Sequence, residues 1–416
     1  MKNSTVSSLE KRILGKIYDS LGKPPIRLVL GNQGEIPRHI DRPVATVSIE
    51  GHLALAKLML YPEIGFGDGY AEGSIRVDGD LVRMLEVVLR SIKKVRGSGW
   101  ASKLMSRWLD FVHANTLRGS ARNIHHHYDL SNDFYKLWLD RQMVYTCAYF
   151  PTPSASLEEA QIAKMDHVCR KIQLEAGERV VEAGCGWGAL ALHMAKYYGA
   201  NVRAFNISKE QIAFGRERAK REGFANKVEF IEDDYRNISG EYDAFVSVGM
   251  LEHVGANHYK DLGRVIHRSI GDNGRGLLHF IGRTQKRPFS PWIRKRIFPG
   301  AHVPALREVM DVLEPSDFSV LDLENLQFHY AKTLEHWLAR YEKAGDRVME
   351  MFGPEFVRAW RLYLAGSIAA FRVGNLQLFQ IVFAGSECQR IPWTRAYLYE
   401  DDQPAKKESK WIHAMS

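Results

Sequence analysis

The chain has 416 residues, 45% hydrophobic and 25% charged, with a formal net charge of +8 and four cysteines. That length allows two or three domains and a large core, while no apolar run reaches the roughly 18 residues of a membrane span. The cysteines show no C-x-x-C pairing, which argues against a zinc knuckle or disulfide scaffold and fits a reducing cytoplasm, and the positive balance points to anionic partners: a phosphorylated substrate, an acidic membrane surface or nucleic acid.

The N-terminus, Met1-Lys2-Asn3-Ser4-Thr5-Val6, lacks the apolar core of a signal peptide. Residues 1–115 read as a separate N-terminal unit. Leu9 to Leu21 suits a first helix, and the alternation in Val44-Ala45-Thr46-Val47-Ser48-Ile49 suits a strand. Gly65-Phe66-Gly67-Asp68-Gly69-Tyr70 reads as a glycine-rich turn, and Leu81 to Val95 as a helix with a basic, glycine-punctuated stop. Residues 116–175 form a bridge. It carries His125-His126-His127-Tyr128, a break at Pro151-Thr152-Pro153-Ser154, and an amphipathic helix from Leu157 to Ile172. Adjacent histidines point in different directions on a regular element and make a poor metal site, so no metal is expected.

From 179 the chain alternates strand and helix. Strands are expected at 179–183, 202–206, 228–231, 242–248 and 276–281, and helices at 189–198, 209–222, 257–269 and 333–346. Ser208-Lys209-Glu210-Gln211 reads as a capping box. The alternation implies an α/β fold, a parallel sheet covered by helices on both faces. Residues 401–416 read as a polar tail.

The most informative stretch is Val180-Val181-Glu182-Ala183-Gly184-Cys185-Gly186-Trp187-Gly188, a strand running into a glycine turn before a helix. Gly184-x-Gly186-x-x-Ala189 also satisfies the dinucleotide fingerprint. A nicotinamide site, however, places an acid about 20 residues on, where this chain has Asn206. Glu182 before the glycines suits a ligand carrying an ammonium group, as S-adenosylmethionine does. Glu232-Asp233-Asp234-Tyr235 then offers a carboxylate and an aromatic face for adenine. Glu252 and His279 rank as general-base candidates on residue type. His279 and Tyr330 each fit ordinary packing as well, and Cys147 fits a small buried hydrophobe.

Several motifs together resemble the cyclopropane fatty-acid synthases and the related mycolic acid cyclopropane synthases. They run in order over roughly 120–385: His127-Tyr128-Asp129-Leu130-Ser131-Asn132-Asp133-Phe134-Tyr135, Tyr145-Thr146-Cys147-Ala148-Tyr149-Phe150, the Glu182 loop, Asn206-Ile207-Ser208-Lys209-Glu210-Gln211, Asp234-Tyr235-Arg236, Ser247-Val248-Gly249-Met250-Leu251-Glu252-His253, Leu278-His279-Phe280-Ile281-Gly282, Phe298-Pro299-Gly300 and Phe328-His329-Tyr330. Residues 61–92 further resemble the extra N-terminal domain of the phospholipid-acting bacterial enzymes. The family usually has Asp where Glu182 stands and Thr where Asn206 stands.

The resemblance implies a Rossmann-like S-adenosylmethionine-dependent methyltransferase domain over 116–400, with a smaller N-terminal α+β domain for the lipid substrate. It implies transfer of a methylene unit to a cis double bond of phospholipid acyl chains, with a bound bicarbonate as the base. Cys147 and Ile281 (through their backbones), Glu252, His279 and Tyr330 match the bicarbonate ligands. Tyr128, Ser131, Gly184, Gly186, Asn206, Ile207, Gln211, Tyr235 and Arg236 match the methyl-donor contacts, beside Glu182. Trp187, Tyr128 and Tyr149 offer aromatic faces to a cation. A homodimer at the cytoplasmic face of the membrane is implied too. The stretch from Arg283 to Phe298 carries six positive charges with Phe289, Trp292 and Ile297 among them, which suits an anionic membrane surface. Nucleic-acid binding is not expected, because no recognised motif accompanies the basic stretch. Methylation without ring closure, a methyltransferase for a soluble acceptor, and a catalytically silent lipid binder are the alternatives.

Overall fold

A computed structural model describes residues 7–31, 34–37, 40–94 and 130–399. The expected domain boundary at 115, the histidine run at 125–127, Tyr128 and the tail at 401–416 lie outside the described residues. The N-terminal unit comprises α1 (Ser8–Ser20), β1 (Arg27–Leu30), β2 (Gly34–Ile36), β3 (Ala45–Ile49), α2 (His52–Leu60), α3 (Pro62–Glu72), β4 (Ile75–Gly79) and α4 (Leu81–Lys94). Its sheet runs β2-β1-β3-β4, with β1 and β3 parallel and the outer pairs antiparallel. In β3 the residues predicted to face inward, Ala45, Val47 and Ile49, are the buried ones.

Residues 65–70 are not a turn, as expected from their glycines, but the middle of α3. The glycines serve close approach instead. A Cβ on Gly67 would lie 2.3 Å from the Trp292 ring, and one on Gly65 2.6 Å from the Lys57 backbone.

The second unit continues with α5 (Asn132–Lys136), α6 (Leu157–Lys171), β5 (Arg179–Ala183), α7 (Ala189–Tyr198), β6 (Asn201–Asn206), α8 (Lys209–Glu222), β7 (Val228–Glu232), β8 (Ala244–Val248), α9 (Leu251–Val254), α10 (Tyr259–Ile270) and β9 (Arg275–Gly282). It ends with α11 (Pro291–Arg296), α12 (Leu306–Leu313), β10 (Ser319–Asn325), α13 (Gln327–Lys343), α14 (Gly345–Arg372) and β11 (Gln377–Ala384). The sheet order is β10-β11-β9-β8-β5-β6-β7. The five strands from β9 to β7 are parallel, and the predicted α/β alternation holds through them. Val180 packs in the cluster that contains α7 and α8 residues, and Val181 in the one that contains α10 and α12 residues, so helices cover both faces.

The sheet is nevertheless mixed, because β10 and β11 add antiparallel strands that the alternation did not suggest. In β11 all but the first residue are buried, so it reads as a plain apolar run, and β10 is an acidic edge strand. The helix expected at 333–346 spans 327–343, and the long α14 behind it was not foreseen. The structure bends at Gly353-Pro354, with Gly353 at φ 80°.

The same α14 ties the two units together. Arg358 Nε donates to Ala71 O at 2.8 Å, and Arg372 pairs with Glu86 at 2.7 Å. The central tie is Asp68 of α3, which is 7% exposed. It accepts from Trp292 Nε1 at 3.2 Å, Lys295 Nζ at 2.8 Å and Arg296 Nε at 2.9 Å. Part of the basic segment is therefore tied to the rest of the protein. Lys295 and Arg296 are held by Asp68, Arg296 also by Glu355, and Lys286 by Glu308. Trp292 and Ile297, expected to dip into lipid, are buried at 4% and 3% exposure.

Burial pulls the Asp68 carboxyl upward, but the Lys295 hydrogen bond and the Arg296 and Lys295 charges outweigh it and leave it below its ordinary value. A depressed carboxyl contributes stability above its unfolded value and loses it as pH falls through the folded one. Asp68→Ala is therefore expected to lower unfolding free energy by about 2 kcal/mol at pH 7, below the cost of breaking a fully buried pair because both cationic partners are part-exposed. Urea denaturation should show this difference shrinking below about pH 4.

Candidate active site

The carboxyl edge of the parallel strands carries the glycine loop. Gly188 begins α7 at φ 83°, and a Cβ there would lie 2.3 Å from the Phe230 ring, so both backbone and space demand glycine. Glu182, at the end of β5, accepts from the Ala191 N–H in the first turn of α7. Its Oε2 is buried without a hydrogen-bond partner among the described residues. Burial pushes this carboxyl up to about 8, with Lys164 pulling the other way, and burial pushes Lys164 down to about 8.

Of the expected methyl-donor residues, Glu182, Gly184, Gly186, Asn206, Ile207, Gln211 and Tyr235 line one cavity above this loop. Asp233 and Trp187 share its wall. Asn206 Nδ2 donates to Gln211 Oε1 at 2.6 Å, so the two side chains fix each other. The predicted capping box is half formed: Ser208 Oγ accepts from Gln211 N, but the Gln211 side chain turns to Asn206. Two expected residues are off this wall. Ser131 Oγ caps α5 by accepting from Phe134 N, and Arg236 pairs with Asp234 at 2.8 Å.

A second, largely apolar cavity of about 750 Å³ adjoins the first, within the range of small-molecule sites. Cys147, Glu252, His279, Ile281 and Tyr330, scattered in sequence, all lie on its wall. N-terminal residues line the same cavity, among them Leu28, Val47, Ile49, Leu58, Phe66 and Met84. Tyr145, Thr146, Gly249 and His253 line both cavities and so mark where they meet. Residue type alone did not single these four out, because their role depends on the tertiary meeting of two hollows. Tyr363 on α14 was also missed, and its hydroxyl lies 2.8 Å from that of Tyr145. Tyr149, expected to offer its ring to a cation, is instead stacked between His167 and His329 and lies on neither wall.

The loop carrying Cys147 is pinned by three hydrogen bonds, two from α6 and one to α13. Gln161 Nε2 donates to Thr146 O at 2.9 Å, Lys164 Nζ to Thr146 Oγ1 at 3.0 Å, and Ala148 N to Thr333 Oγ1 at 3.0 Å. Burial raises the Cys147 thiol far above its ordinary value, so it stays protonated, and its Sγ donates to Ala148 O. It is no nucleophile. Glu252 on α9 accepts from Ile281 N with Oε1 at 2.6 Å, while Oε2 is buried without a hydrogen-bond partner. Burial lifts its carboxyl to about 7. His279 on β9 is held well below its ordinary value, first by burial and then by the Lys164 and Lys171 charges, so its ring is neutral. Its Nε2 is buried and unpartnered among the described residues. No group of three or more His, Cys, Asp or Glu suited to a metal ion occurs among the described residues.

Fold and cavities define the class: a Rossmann-like S-adenosylmethionine-dependent methyltransferase with a smaller N-terminal α+β unit. The chain belongs to the family described as mycolic acid cyclopropane synthetase, whose model matches residues 115–381. It is 34% identical over 388 residues to a probable fatty acid methyltransferase of Pseudomonas putida, covering 90% of this chain and 96% of that one. It is 39% identical over 259 residues to the cyclopropane-fatty-acyl-phospholipid synthase of Escherichia coli K12, covering 62% and 66%. Among solved structures it resembles the mycolic acid cyclopropane synthase CmaA1 complexed with SAH and CTAB. That match has a TM-score of 0.60 at 30% identity and covers 63% of this chain and 97% of that one.

Whether a cationic ligand draws a carboxylate out of the raised Glu182 carboxyl can be tested without disturbing its capping role, because glutamine keeps an acceptor for Ala191 N–H. Glu182→Gln is expected to weaken S-adenosylhomocysteine binding about tenfold, or about 1.4 kcal/mol, measured by titration calorimetry. An unchanged Kd would leave Glu182 as a helix cap only.

Proposed function

We propose that the protein moves a methyl group from S-adenosylmethionine to a cis double bond in a phospholipid acyl chain and closes it to a cyclopropane ring. The observation that carries this reading is the junction of a cofactor-type hollow with a large, mainly apolar one, beside two buried polar atoms with no hydrogen-bond partner among the described residues, Glu252 Oε2 and His279 Nε2. The apolar walls suit an acyl chain. Its headgroup would stay at the surface, with the protein acting as a homodimer at the cytoplasmic face of the membrane. Among the described residues no helix is long and apolar enough to cross that membrane.

S-adenosylmethionine, when bound, supplies an electrophilic methyl. An alkene is a weak nucleophile, so alignment by Tyr145, Thr146 and Gly249 at the junction must supply much of the rate. As the carbon–sulfur bond breaks and a carbon–carbon bond forms, positive charge appears on the chain. The rings of Tyr145, Trp187 and Tyr330 can face that charge, and the apolar walls keep water from trapping it. Loss of a proton from the transferred methyl then leaves the electron pair that closes the ring.

The residues present fit a small oxyanion such as bicarbonate in part. Glu252 Oε2 can accept the ion's own proton, and His279 Nε2 can donate to an oxygen. The Ile281 N–H, which the resemblance assigns to the anion, is already engaged by Glu252 Oε1. Bicarbonate, when held there, supplies a base in a place where water is excluded.

A second reading, methylation without ring closure, is favoured by one observation: the relative from Pseudomonas putida that matches nearly the whole chain is called a probable fatty acid methyltransferase. Vesicles of cis-monounsaturated phospholipid incubated with methyl-labelled S-adenosylmethionine distinguish the two. The expected product carries the label in a ring by mass spectrometry. Label in an open branch selects the second reading, and no label in the acyl chains ends both. Glu252→Gln is expected to lower turnover about 100-fold or more, the lower range for a lost acid–base group. With its carboxyl near 7, the wild-type rate should fall as pH drops below about 7, and this acid limb should vanish in the variant.

A further inference from the structure

Gln380 lies on β11 directly opposite His279 on β9 in the antiparallel register, so the two side chains share a face. Gln380 is fully buried and His279 is 2% exposed. The Gln380 amide nitrogen is 3.0 Å from His279 Nδ1. Sequence reading passed over Gln380, because a glutamine inside an apolar strand carries no motif. A buried glutamine aimed at a histidine that lines the reaction cavity is costly unless that contact is used.

We propose that Gln380 is a positioning residue: its amide N–H donates to His279 Nδ1 and thereby fixes the ring as the Nε2–H tautomer, with that N–H presented to an oxyanion in the apolar cavity. This rests on reading the Glu252–His279 wall as the base centre.

The role of the ring favours this orientation over its flip. With nitrogen toward the ring, Gln380 leaves its Oε1 unpartnered. Flipped, its carbonyl would accept from a protonated Nδ1, which in a neutral ring turns Nε2 into an acceptor that cannot donate to an oxyanion. The partner's neutrality matters as well. A carboxylate at this position would favour imidazolium, a second positive charge beside a developing carbocation. Glutamine orients the ring without charging it. The other charged or titratable groups acting on His279 come from α6, which carries Lys164, His167 and Lys171, and from β10, which carries Glu324. The two lysines oppose ring protonation and Glu324 favours it.

The test is proton–nitrogen correlation NMR of histidine-labelled protein, with the His279 signals assigned by difference from His279→Gln. The expected wild-type ring is neutral, protonated on Nε2, and unchanged from pH 6 to 8. In Gln380→Glu it should become protonated on both nitrogens within that range. In Gln380→Met it should lose its single tautomer, and turnover should fall at least tenfold with KM for S-adenosylmethionine unchanged. A wild-type ring protonated on Nδ1 alone, or charged, overturns the proposal, as does a Gln380→Met ring identical to wild type. The wild-type spectrum decides even if a variant fails to fold. If the ring behaves as expected but turnover is indifferent to added bicarbonate, the tautomer assignment stands and the bicarbonate reading falls.

Discussion

Exclusion of water from the wall where the two cavities meet governs what every ionisable group there can do. Burial raises the carboxyl of Glu252 to about 7 and lowers His253 to about 4. It also keeps the Cys147 thiol protonated and the His279 ring neutral. The centre thus holds little fixed charge, which suits a reaction that creates a cation on hydrocarbon. The N-terminal unit supplies part of the wall of this dry space, through Leu28, Val47, Ile49, Leu58 and Phe66. The Asp68 cluster and the α14 contacts that seat this unit are therefore part of the chemical environment as much as of the fold.

What was legible in the sequence was what local chain chemistry decides. The glycine loop and the helices at 189–198 and 209–222 lie where the pattern puts them, because strand, turn and amphipathic period are all short-range signals. The failures came where a distant partner decides. Gly65 and Gly67 look like turn residues until Lys57 and Trp292 are placed against them. The stretch from Arg283 to Phe298 contains no acid, yet the fold brings Asp68, Glu308 and Glu355 to it. A run of positive charge predicts a free patch only if nothing elsewhere in the chain neutralises it.

The candidate site divides in the same way. Residue chemistry alone named a methyl-donor loop and two possible bases. The grouping of Cys147, Glu252, His279, Ile281 and Tyr330 came from resemblance, since no spacing rule links a loop, a four-residue helix, a strand and a later helix. Gln380 and Tyr363 were invisible for a related reason. Each matters through one partner, His279 or Tyr145, supplied by strand register or helix packing.

Chain neighbourhood bears on the choice of product. Thr146, Gly249 and His253, where the methyl would arrive, are tied to the proposed base wall by the shortest links the chain offers. Thr146 precedes Cys147, Glu252 precedes His253, and Gly249 N donates to His279 O at 2.8 Å. A base held by Glu252 and His279, as proposed, would therefore lie close to where the two cavities meet. The proton nearest such a base would be one on the transferred methyl, and its loss closes a ring while the positive charge remains on the neighbouring chain carbon. An open methylene branch loses its proton from that same carbon, but only after a hydride shift has moved the charge onto the chain carbon that bears it, and a saturated methyl branch needs a reductant as well. Under the proposed reading, a base placed there would select ring closure by taking the proton before that shift occurs, so timing rather than position separates the two products.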